Sequence, residues 1–336
     1  MIKFCFLHLV LPSKIYEKKI CTQKLEQKFI EKNSIFSFKN KIFKKKKFFC
    51  MKSSEIPSNT VWEIDFFSRP VLNEDGKKLW ELIVVDQKGT FEHIEAIPNN
   101  LINSRELKKR INALIEKSPQ KPILIKFFRS QMFNMINIAL SDLNINVRPS
   151  RRTFALFEKI SEREENVYPK MSGYRPFMKE VDVNDMLKKV PQKMPDTLRG
   201  EKYVFASISI PELESMVNSG INFGQMCPLP KNFDFNQKIP GIVILSERAK
   251  SLSSWFDGIE LFNIICDLET KNIMIECGLD TQYLFGKFSE ETIQDRVNLE
   301  PKLFEKNKKK SQGVHFIAVQ EYSKKKPIYG IWTLRV

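Results

Sequence analysis

Histidine and cysteine are scarce in this chain, and long apolar runs are missing from it. Three histidines in 336 residues leave little material for a metal site or for His-based catalysis. The six cysteines contain no CxxC pair, and three of them lie within residues 1–60, which argues against a disulfide framework and a structural zinc site. The other three, Cys227, Cys266 and Cys277, are predicted to be small buried hydrophobes. No run approaches the roughly 18 to 20 apolar residues of a membrane span, so none is predicted.

Arginine is absent from residues 1–60, although this segment is strongly basic. It holds 14 lysines and four acidic residues, a net charge of +10, so residues 61–336 carry only +5 of the total +15. The high pI therefore says little about nucleic-acid binding by the rest of the chain. Without sustained apolar periodicity, and with the block Lys44–Lys47, the segment is predicted to be a largely disordered targeting leader. Two alternatives remain open: a basic arm that binds RNA or a membrane, and upstream sequence that is never translated, with Met51 as the start.

The sequence Val61–Asp86 predicts a β-hairpin that opens a domain. Residues 61–66 alternate bulky apolar with acidic side chains, and residues 79–85 form a second, more buried run. Between them, Asn73–Gly76 supplies a turn in which the glycine can take a positive φ.

Residues 61–165 are predicted to form an α/β domain. After the hairpin come a third strand at 89–97, a helix that Ser104 caps, a buried strand at 123–128, a helix at 130–143, a strand at 145–147 and a helix at 153–164. A three-stranded meander followed by alternating helix and strand resembles the element order of ribonuclease-H-like domains.

The rest of the chain is predicted to contain a linker and a second domain. Residues 166–200 are turn-rich and are interpreted as a linker with one short helix near Val181–Val190. Residues 201–336 are predicted to be an α+β domain, a mixed sheet with helices, that includes a helix at Ser289–Leu299 and an exposed basic loop at Lys306–Lys310. This part has no phosphate-binding loop, no dinucleotide-binding glycine motif and no nucleophile elbow.

The ribonuclease-H-like order raises the question of metal-dependent nuclease activity. Such enzymes need several carboxylates that hold two metal ions. Asp65 lies on the first strand, where one such carboxylate would sit, but Lys126 and Arg129 occupy the end of the fourth strand, where another acid is needed. We therefore expect no enzyme, no metal site and no cofactor, and we interpret Asp65 as paired with Arg69 or Arg129.

Two arginine-containing segments, 126–131 and 148–152, follow predicted strands and lead into helices. Ligands of open α/β sheets tend to bind at such strand ends, and arginine can contact phosphate or stack on a base. The alternative is structural, with arginines at a helix start and phenylalanines in the core. The candidate RNA contacts are Arg69, Arg129, Gln131, Arg148, Arg151 and Arg152. The residues assigned to structural or polar clusters are Trp62, Asp65, Trp80, Trp255 and Asp257, the last of these as a helix cap or turn residue.

Several sequence blocks together resemble one family. They are Trp62–Pro70, Lys77–Leu82, Phe127–Met132, Pro149–Arg152, Trp255–Gly258 and Phe316–Gln320. Their order and approximate spacing resemble the Tab/Atab family of A/U-rich RNA-binding proteins of cyanobacteria and plastids, over about residues 61–336. The resemblance implies a protein of the plastid stroma that binds single-stranded A/U-rich messenger RNA and promotes translation of photosystem reaction-centre messengers, chiefly of photosystem I. It also implies that residues 1–60 are a plastid transit peptide, and it supplies no catalytic residues.

Two hypotheses from different classes remain. The first is the RNA-binding translation factor, with other plastid translation factors or the ribosome as further partners. Single-stranded recognition fits a charge of only +5 on residues 61–336, because base stacking supplies affinity that phosphate contacts then need not supply. The second is a non-catalytic protein–protein scaffold in photosystem or ribosome assembly, built on a degenerate nuclease-like domain.

Overall fold

A computed structural model of the chain describes residues 60–176, 190–217, 221–224, 226–288, 299–322 and 327–336. The predicted leader lies outside the described residues, apart from Thr60. The helices predicted near 181–190 and 289–299 also lie outside them, apart from their last residues, Val190 and Leu299.

The N-terminal domain is built on a five-stranded sheet with the strand order β3-β2-β1-β4-β5. Its strands are β1 (Val61–Leu72), β2 (Lys78–Asp86), β3 (Glu92–Ile97), β4 (Leu124–Phe127) and β5 (Asn146–Pro149). The first three are antiparallel neighbours, whereas β4 pairs in parallel with β1 and β5 in parallel with β4. The turn between β1 and β2 has Gly76 at φ 72°, as predicted. The predicted meander followed by alternating helix and strand is confirmed.

Helices cover both faces of this sheet. They are α1 (Ser104–Lys117), α2 (Phe133–Leu140) and α3 (Phe154–Asn166). The first two bury one face, where apolar residues of β1 such as Trp62, Ile64 and Phe66 form the main core. On the opposite face, Leu156 of α3 packs with Ile83 of β2. Both faces are therefore shielded from water, and any polar side chain of the central strands needs an internal partner.

The N-cap of α1 is Asn103, not Ser104 as predicted. Asn103 has an extended backbone with φ −157°, and its Oδ1 accepts a hydrogen bond from the backbone amide of Glu106 at 2.9 Å. An N-cap side chain reaches the amide two or three residues further on. Asparagine and serine are both good N-cap residues. Because they are adjacent here, the sequence alone does not show which of the two is the N-cap.

The C-terminal domain contains two four-stranded sheets, with the orders β6-β11-β10-β9 and β13-β12-β8-β7. Its strands are β6 (Gln192–Lys193), β7 (Lys202–Ser209), β8 (Lys238–Ser246), β9 (Leu261–Asp267), β10 (Asn272–Cys277), β11 (Thr281–Lys287), β12 (His315–Glu321) and β13 (Ile328–Leu334), and its helices are α4 (Ile210–Val217), α5 (Ala249–Gly258) and α6 (Leu299–Lys310). The main core joins both sheets with α5 and α6, and a second apolar cluster includes α4. The predicted α+β architecture is confirmed. Among the described residues, no helix is long and apolar enough to cross a membrane.

The three cysteines of this domain, Cys227, Cys266 and Cys277, are unpaired and buried, as predicted. Burial raises the pKa of the Cys266 and Cys277 thiols to about 12. Both thiols therefore stay protonated at neutral pH and act as apolar groups.

The described ends of the predicted linker pack into the two domains. On one side, Tyr168 is fully buried, and residues 173 and 175 make main-chain hydrogen bonds to the end of β1. On the other side, β6 joins a sheet and Met194 lies in the C-terminal core. The assignment of residues 166–200 as a linker stays a prediction. Its turn-rich composition indicates bends but does not show that the two ends pack.

The predicted basic loop at Lys306–Lys310 is wrong, because these residues form the last turns of α6. Phe304 and Lys308 lie four residues apart and both face inward. The Lys308 ammonium donates to the carbonyl of Ile264 at 2.7 Å and to Glu305. Lysine is a good helix former, so a run of lysines continues a helix whenever its inward positions find partners.

Candidate nucleic-acid interface

A buried ionic cluster lies on the α3 side of the N-terminal sheet. Asp65 of β1 is 2 % exposed and pairs with two arginines. Arg69 Nη1 donates to Asp65 Oδ2 at 2.9 Å, while Arg129 Nε and Nη2 donate to Oδ1 and Oδ2 at 2.7 and 3.1 Å. Asp65 therefore pairs with both of the partners that the sequence offered as alternatives.

The same cluster continues to β2 and α3 through Glu81. Its carboxylate accepts from Arg69 Nε at 3.2 Å, from the Tyr168 hydroxyl at 2.6 Å and from Arg163. Burial, together with the hydrogen bond to Glu81, raises the pKa of Tyr168 to about 12. These groups, the Asp65 cluster, are Asp65, Arg69, Glu81, Arg129, Arg163 and Tyr168.

This arrangement is incompatible with a nuclease centre at Asp65. Both carboxylate oxygens accept hydrogen bonds from guanidinium groups, which stand where metal ions would have to bind. Within the described residues, no group of three or more His, Cys, Asp or Glu side chains could hold a metal ion. The cluster contains three arginines and two acids, and Arg129 is its most exposed arginine, with 22 % of its side chain accessible.

A second buried acid, Glu63, lies two residues before Asp65. It accepts a hydrogen bond at 3.0 Å from the amide of Leu156 in the first turn of α3, and it lies opposite Lys126 on the neighbouring strand. Burial raises the pKa of Glu63 to about 7, although Lys126 and the backbone donors oppose the shift. Burial also lowers the pKa of Lys126, against the attraction of Glu63.

The two domains are joined by the segment that follows β5. Arg152, 3 % exposed, donates through Nη1 to the carbonyl of Leu261 at 3.0 Å and to that of Thr333 at 3.4 Å. The amide of Arg151 donates to Glu260 at 3.0 Å. The segment therefore fixes one side of the N-terminal domain against β9 and β13.

A cleft of about 1500 Å³ lies between the two domains. Its N-terminal wall includes residues 128–131 and one side of α3, and its C-terminal wall includes residues of β9, β10 and β11. Both walls carry phenylalanine: Phe128, Phe154 and Phe157 on one side and Phe262 on the other.

Arginine side chains stack on phenylalanine at both walls. The guanidinium of Arg129 lies 3.9 Å from the ring centre of Phe67 and 4.7 Å from that of Phe128. On the opposite wall, the guanidinium of Arg151 lies 3.8 Å from the ring centre of Phe262. Planar arginine and aromatic groups are the side chains on which unpaired bases stack.

The cleft is not a basic groove. It is lined by four cations, Arg129, Arg151, Lys231 and Arg335, and by six acids, Glu158, Glu162, Glu165, Asp267, Glu276 and Asp280. Each cation has a carboxylate partner: Asp65 for Arg129, Glu276 for Arg151, and Glu158 for both Lys231 and Arg335. Although burial acts in the other direction, Arg151 and the amides of Asn263 and Gln282 hold the pKa of Glu276 below its ordinary value.

Six amide side chains add hydrogen-bonding groups to this lining. They are Gln131, Asn166, Asn232, Asn272, Gln282 and Gln312. Amides offer a donor and an acceptor side by side, which matches the hydrogen-bonding edge of a base. The lining is therefore suited to flat, uncharged, hydrogen-bonding groups.

The six predicted RNA contacts have different positions in the structure. Arg129, Gln131 and Arg151 line the cleft. Arg148 is half-exposed, outside the cleft, with Nη2 3.9 Å from Glu260. Arg69 and Arg152 are buried, contrary to the expectation that they face RNA. Arg69 donates to the buried carboxylate of Asp65, and Arg152 donates to the main-chain carbonyl of Leu261.

The residues assigned to structural clusters have packing or hydrogen-bonding partners. Trp62 is buried and stacks on Phe91, and Trp80 packs against Phe66 and Phe67. Trp255 contacts Phe256 and Tyr283. Asp257 is not a cap: it lies in the last turn of α5 and accepts from Trp332 Nε1 at 3.2 Å and from Asn222 at 2.8 Å.

The C-terminal wall of the cleft was not predicted. Phe262, Asn272 and Gln282 lie on three successive strands and match no short motif. Their common position results from sheet pairing and from the docking of the two domains. On β10, Asn272 and Glu276 share one face of the strand with Met274, and β11 has no regular polar alternation, so the sequence offers no clear signal for this wall.

Comparisons with known proteins agree along the chain. Residues 61–163 match the family described as RNA-binding protein Tab2/Atab2 N terminal, and residues 182–335 match the C-terminal domain of the same family. "Protein TAB2 homolog, chloroplastic" of Arabidopsis thaliana is 32 % identical over 288 residues, 84 % of this chain and 76 % of that protein. The protein of the same name in Zea mays is 31 % identical over 280 residues, 81 % of this chain and 70 % of that protein.

Among solved structures, the catalytic core domain of BIV integrase aligns with this chain at 13 % identity and a TM-score of 0.25. The alignment covers 33 % of this chain and 70 % of the integrase chain. A TM-score of 0.25 does not establish a shared fold. The two family matches and the two relatives carry the assignment: the chain belongs to the Tab2/Atab2 family and is a plastid RNA-binding protein.

Proposed function

We propose that this protein binds single-stranded A/U-rich messenger RNA in the plastid stroma and promotes translation of photosystem reaction-centre messengers, chiefly those of photosystem I. Other plastid translation factors or the ribosome would be its protein partners. The resemblance of the sequence blocks to the family supports the messenger class, and the lining of the interdomain cleft supports the choice of site.

One observation carries the choice of site: arginine stacked on phenylalanine at both walls of a single cleft. Arg129 with Phe128 on one wall and Arg151 with Phe262 on the other offer flat surfaces to a base. Base stacking on such surfaces contributes about 1–3 kcal/mol per base. Only an unpaired strand exposes its base faces in this way, which supports single-stranded over duplex RNA.

The test of the site removes one aromatic face and keeps its apolar bulk. Phe157 lines the cleft and contacts Phe128, with 4.6 Å between the ring centres. We expect Phe157→Leu in the full chain to weaken binding of a single-stranded A/U-rich RNA about 5- to 100-fold in filter assays. The matched control is Phe235→Leu, because Phe235 is exposed and does not line the cleft.

Equal affinities for the wild type and Phe157→Leu would place the RNA elsewhere. Failure of the wild type to bind any single-stranded RNA at moderate salt would instead favour the protein–protein scaffold.

The messenger class needs a separate test in plastids. Crosslinking of the protein to RNA, followed by sequencing of the bound fragments, should enrich the leaders of photosystem I reaction-centre messengers. Enrichment of unrelated messengers would overturn that part of the proposal and leave RNA binding intact.

A further inference from the structure

The cleft accounts for bases but not for phosphates. Its lining contains six carboxylates and four cations, and each cation is paired with an acid. A polyanion that enters such a cleft along its backbone would meet net repulsion. An RNA whose bases occupy the cleft therefore needs a cationic surface beside it.

Helix α6 provides such a surface. Lys302, Lys306, Lys309 and Lys310, called the lysine face below, are all exposed. Positions 302, 306, 309 and 310 fall within about 100° of arc around the helix axis, so the four lysines lie on one side of the helix. Lys308 is not part of this face, since its ammonium is buried against Ile264 and Glu305.

The lysine face is unpaired within the part of the chain that the structure describes, where the ion pairs of α6 involve only Lys308 and Glu305. Lys306 also stands four residues from both Lys302 and Lys310, and like charges at this spacing destabilise a helix. The helix dipole favours cations in the last turn, which accounts for Lys309 and Lys310 but not for Lys302 and Lys306.

The C-terminal end of α6 lies beside the cleft. Gln312, two residues after Lys310, lines the cleft, and its side chain donates to the carbonyl of Asn232 at 3.3 Å. The backbone amide of Gln312 donates to the carbonyl of Lys309, which connects the rim of the cleft to the last turn of α6. A strand that leaves the cleft past Gln312 would pass the last turn of α6, which carries Lys309 and Lys310.

From this arrangement we infer that the lysine face of α6 binds the phosphate backbone of the single-stranded RNA whose bases enter the cleft. The inference rests on the proposed function. In this arrangement the cleft contacts the bases and α6 contacts the phosphates. Its signature is salt dependence, since each lysine–phosphate contact releases a counterion from the strand.

The test compares two triple variants of the full chain that lose the same charge. One is Lys302→Gln/Lys306→Gln/Lys309→Gln. The control is Lys77→Gln/Lys88→Gln/Lys117→Gln, three exposed lysines of the N-terminal domain. Affinity for a single-stranded A/U-rich RNA is measured over a range of salt. We expect the α6 variant to flatten the slope of log affinity against log salt by about 2, and to weaken binding roughly 10- to 100-fold at low salt. The control should keep a slope close to that of the wild type.

An abasic strand of the same length separates the two contributions. Its residual binding should disappear in the α6 variant and persist in Phe157→Leu. If the wild type binds RNA and the α6 variant keeps the wild-type slope, or changes no more than the control, the inference is overturned and the proposed function stands. If the α6 variant loses only binding to anionic lipid vesicles, the face serves a membrane surface and the inference is again wrong. If the wild type binds no RNA, the proposed function itself fails.

Discussion

The Asp65 cluster and the lysine face of α6 use positive charge in opposite ways. In the cluster, three arginines surround two carboxylates, and Asp65 and Arg69 are each 2 % exposed. On the lysine face, four ammonium groups stand in water at positions where they repel one another. The first arrangement holds a sheet and a helix together, whereas the second leaves its charge available to an anion.

Charge counted along the sequence does not separate these two uses. Arg151 and Arg152 are neighbours in the chain, yet the Arg151 side chain lines the cleft over Phe262 while Arg152 is buried between main-chain carbonyls. A double substitution of this pair would confuse binding with stability. Burial and partners decide which cation can reach a ligand.

The largest expected effect is a loss of stability in the Asp65 cluster. Replacing Arg69 by Met removes its contacts to both Asp65 and Glu81 and leaves two buried carboxylates short of a partner. Breaking one side of a buried ionic cluster costs about 3–5 kcal/mol. We expect a decrease of that size in the free energy of unfolding, measured by urea denaturation.

The control for this prediction is Arg148→Met. The Arg148 side chain is 54 % exposed and its carboxylate neighbour, Glu260, is 3.9 Å away, so the loss should stay under about 0.5 kcal/mol. Equal losses in the two variants would show that the cluster is no more than a surface arrangement of charges.

A smaller effect is expected from the pH dependence of Glu63. The pKa of this carboxyl is about 7 in the folded chain and 4.5 in a model peptide, so the folded state binds the proton more tightly. This contribution is fully present below the unfolded pKa and is lost as the pH rises through the folded pKa. Between about pH 4.5 and pH 7 the wild type should lose about 3 kcal/mol relative to Glu63→Gln.

Urea denaturation of both proteins at about pH 5 and about pH 8 measures this difference. Glutamine keeps an acceptor for the amide of Leu156, which limits other changes at the site. Glu74→Gln, at an exposed turn position, is the matched control for the loss of one carboxyl group. A constant difference between wild type and Glu63→Gln across this pH range would mean that the carboxyl is ionised in the folded state throughout.

Local patterns predicted the elements of the fold and the identity of some cleft residues. Alternation in β1, the turn at Asn73–Gly76 and the order of helices and strands followed from spacing and turn chemistry. The segments with Arg129 and Arg151 were found because strand ends are common binding positions.

Tertiary contacts decided the rest. Arg69 looked available because it follows an alternating strand, but β2 places Glu81 against it. The lysines of α6 looked like a loop because nothing in their own sequence shows that Phe304 and Lys308 have inward partners. The far wall of the cleft depends on contacts between residues more than a hundred positions apart, such as Arg151 and Glu260.

The smallest expected effect tests whether the lysines of α6 lack anionic partners in the folded chain. Lys306→Gln should raise the free energy of unfolding by a few tenths of a kcal/mol. The substitution removes the repulsion of Lys306 by Lys302 and Lys310, while the helix propensity hardly changes. Shifts of the urea midpoint at low salt measure the gain, which should shrink at about 1 M salt. Lys117→Gln in the last turn of α1 has no lysine four residues away in its helix and should bring no gain. A loss of stability in Lys306→Gln would reveal an anionic partner within the folded chain, and the lysine face would then be no freer to bind RNA than the Asp65 cluster.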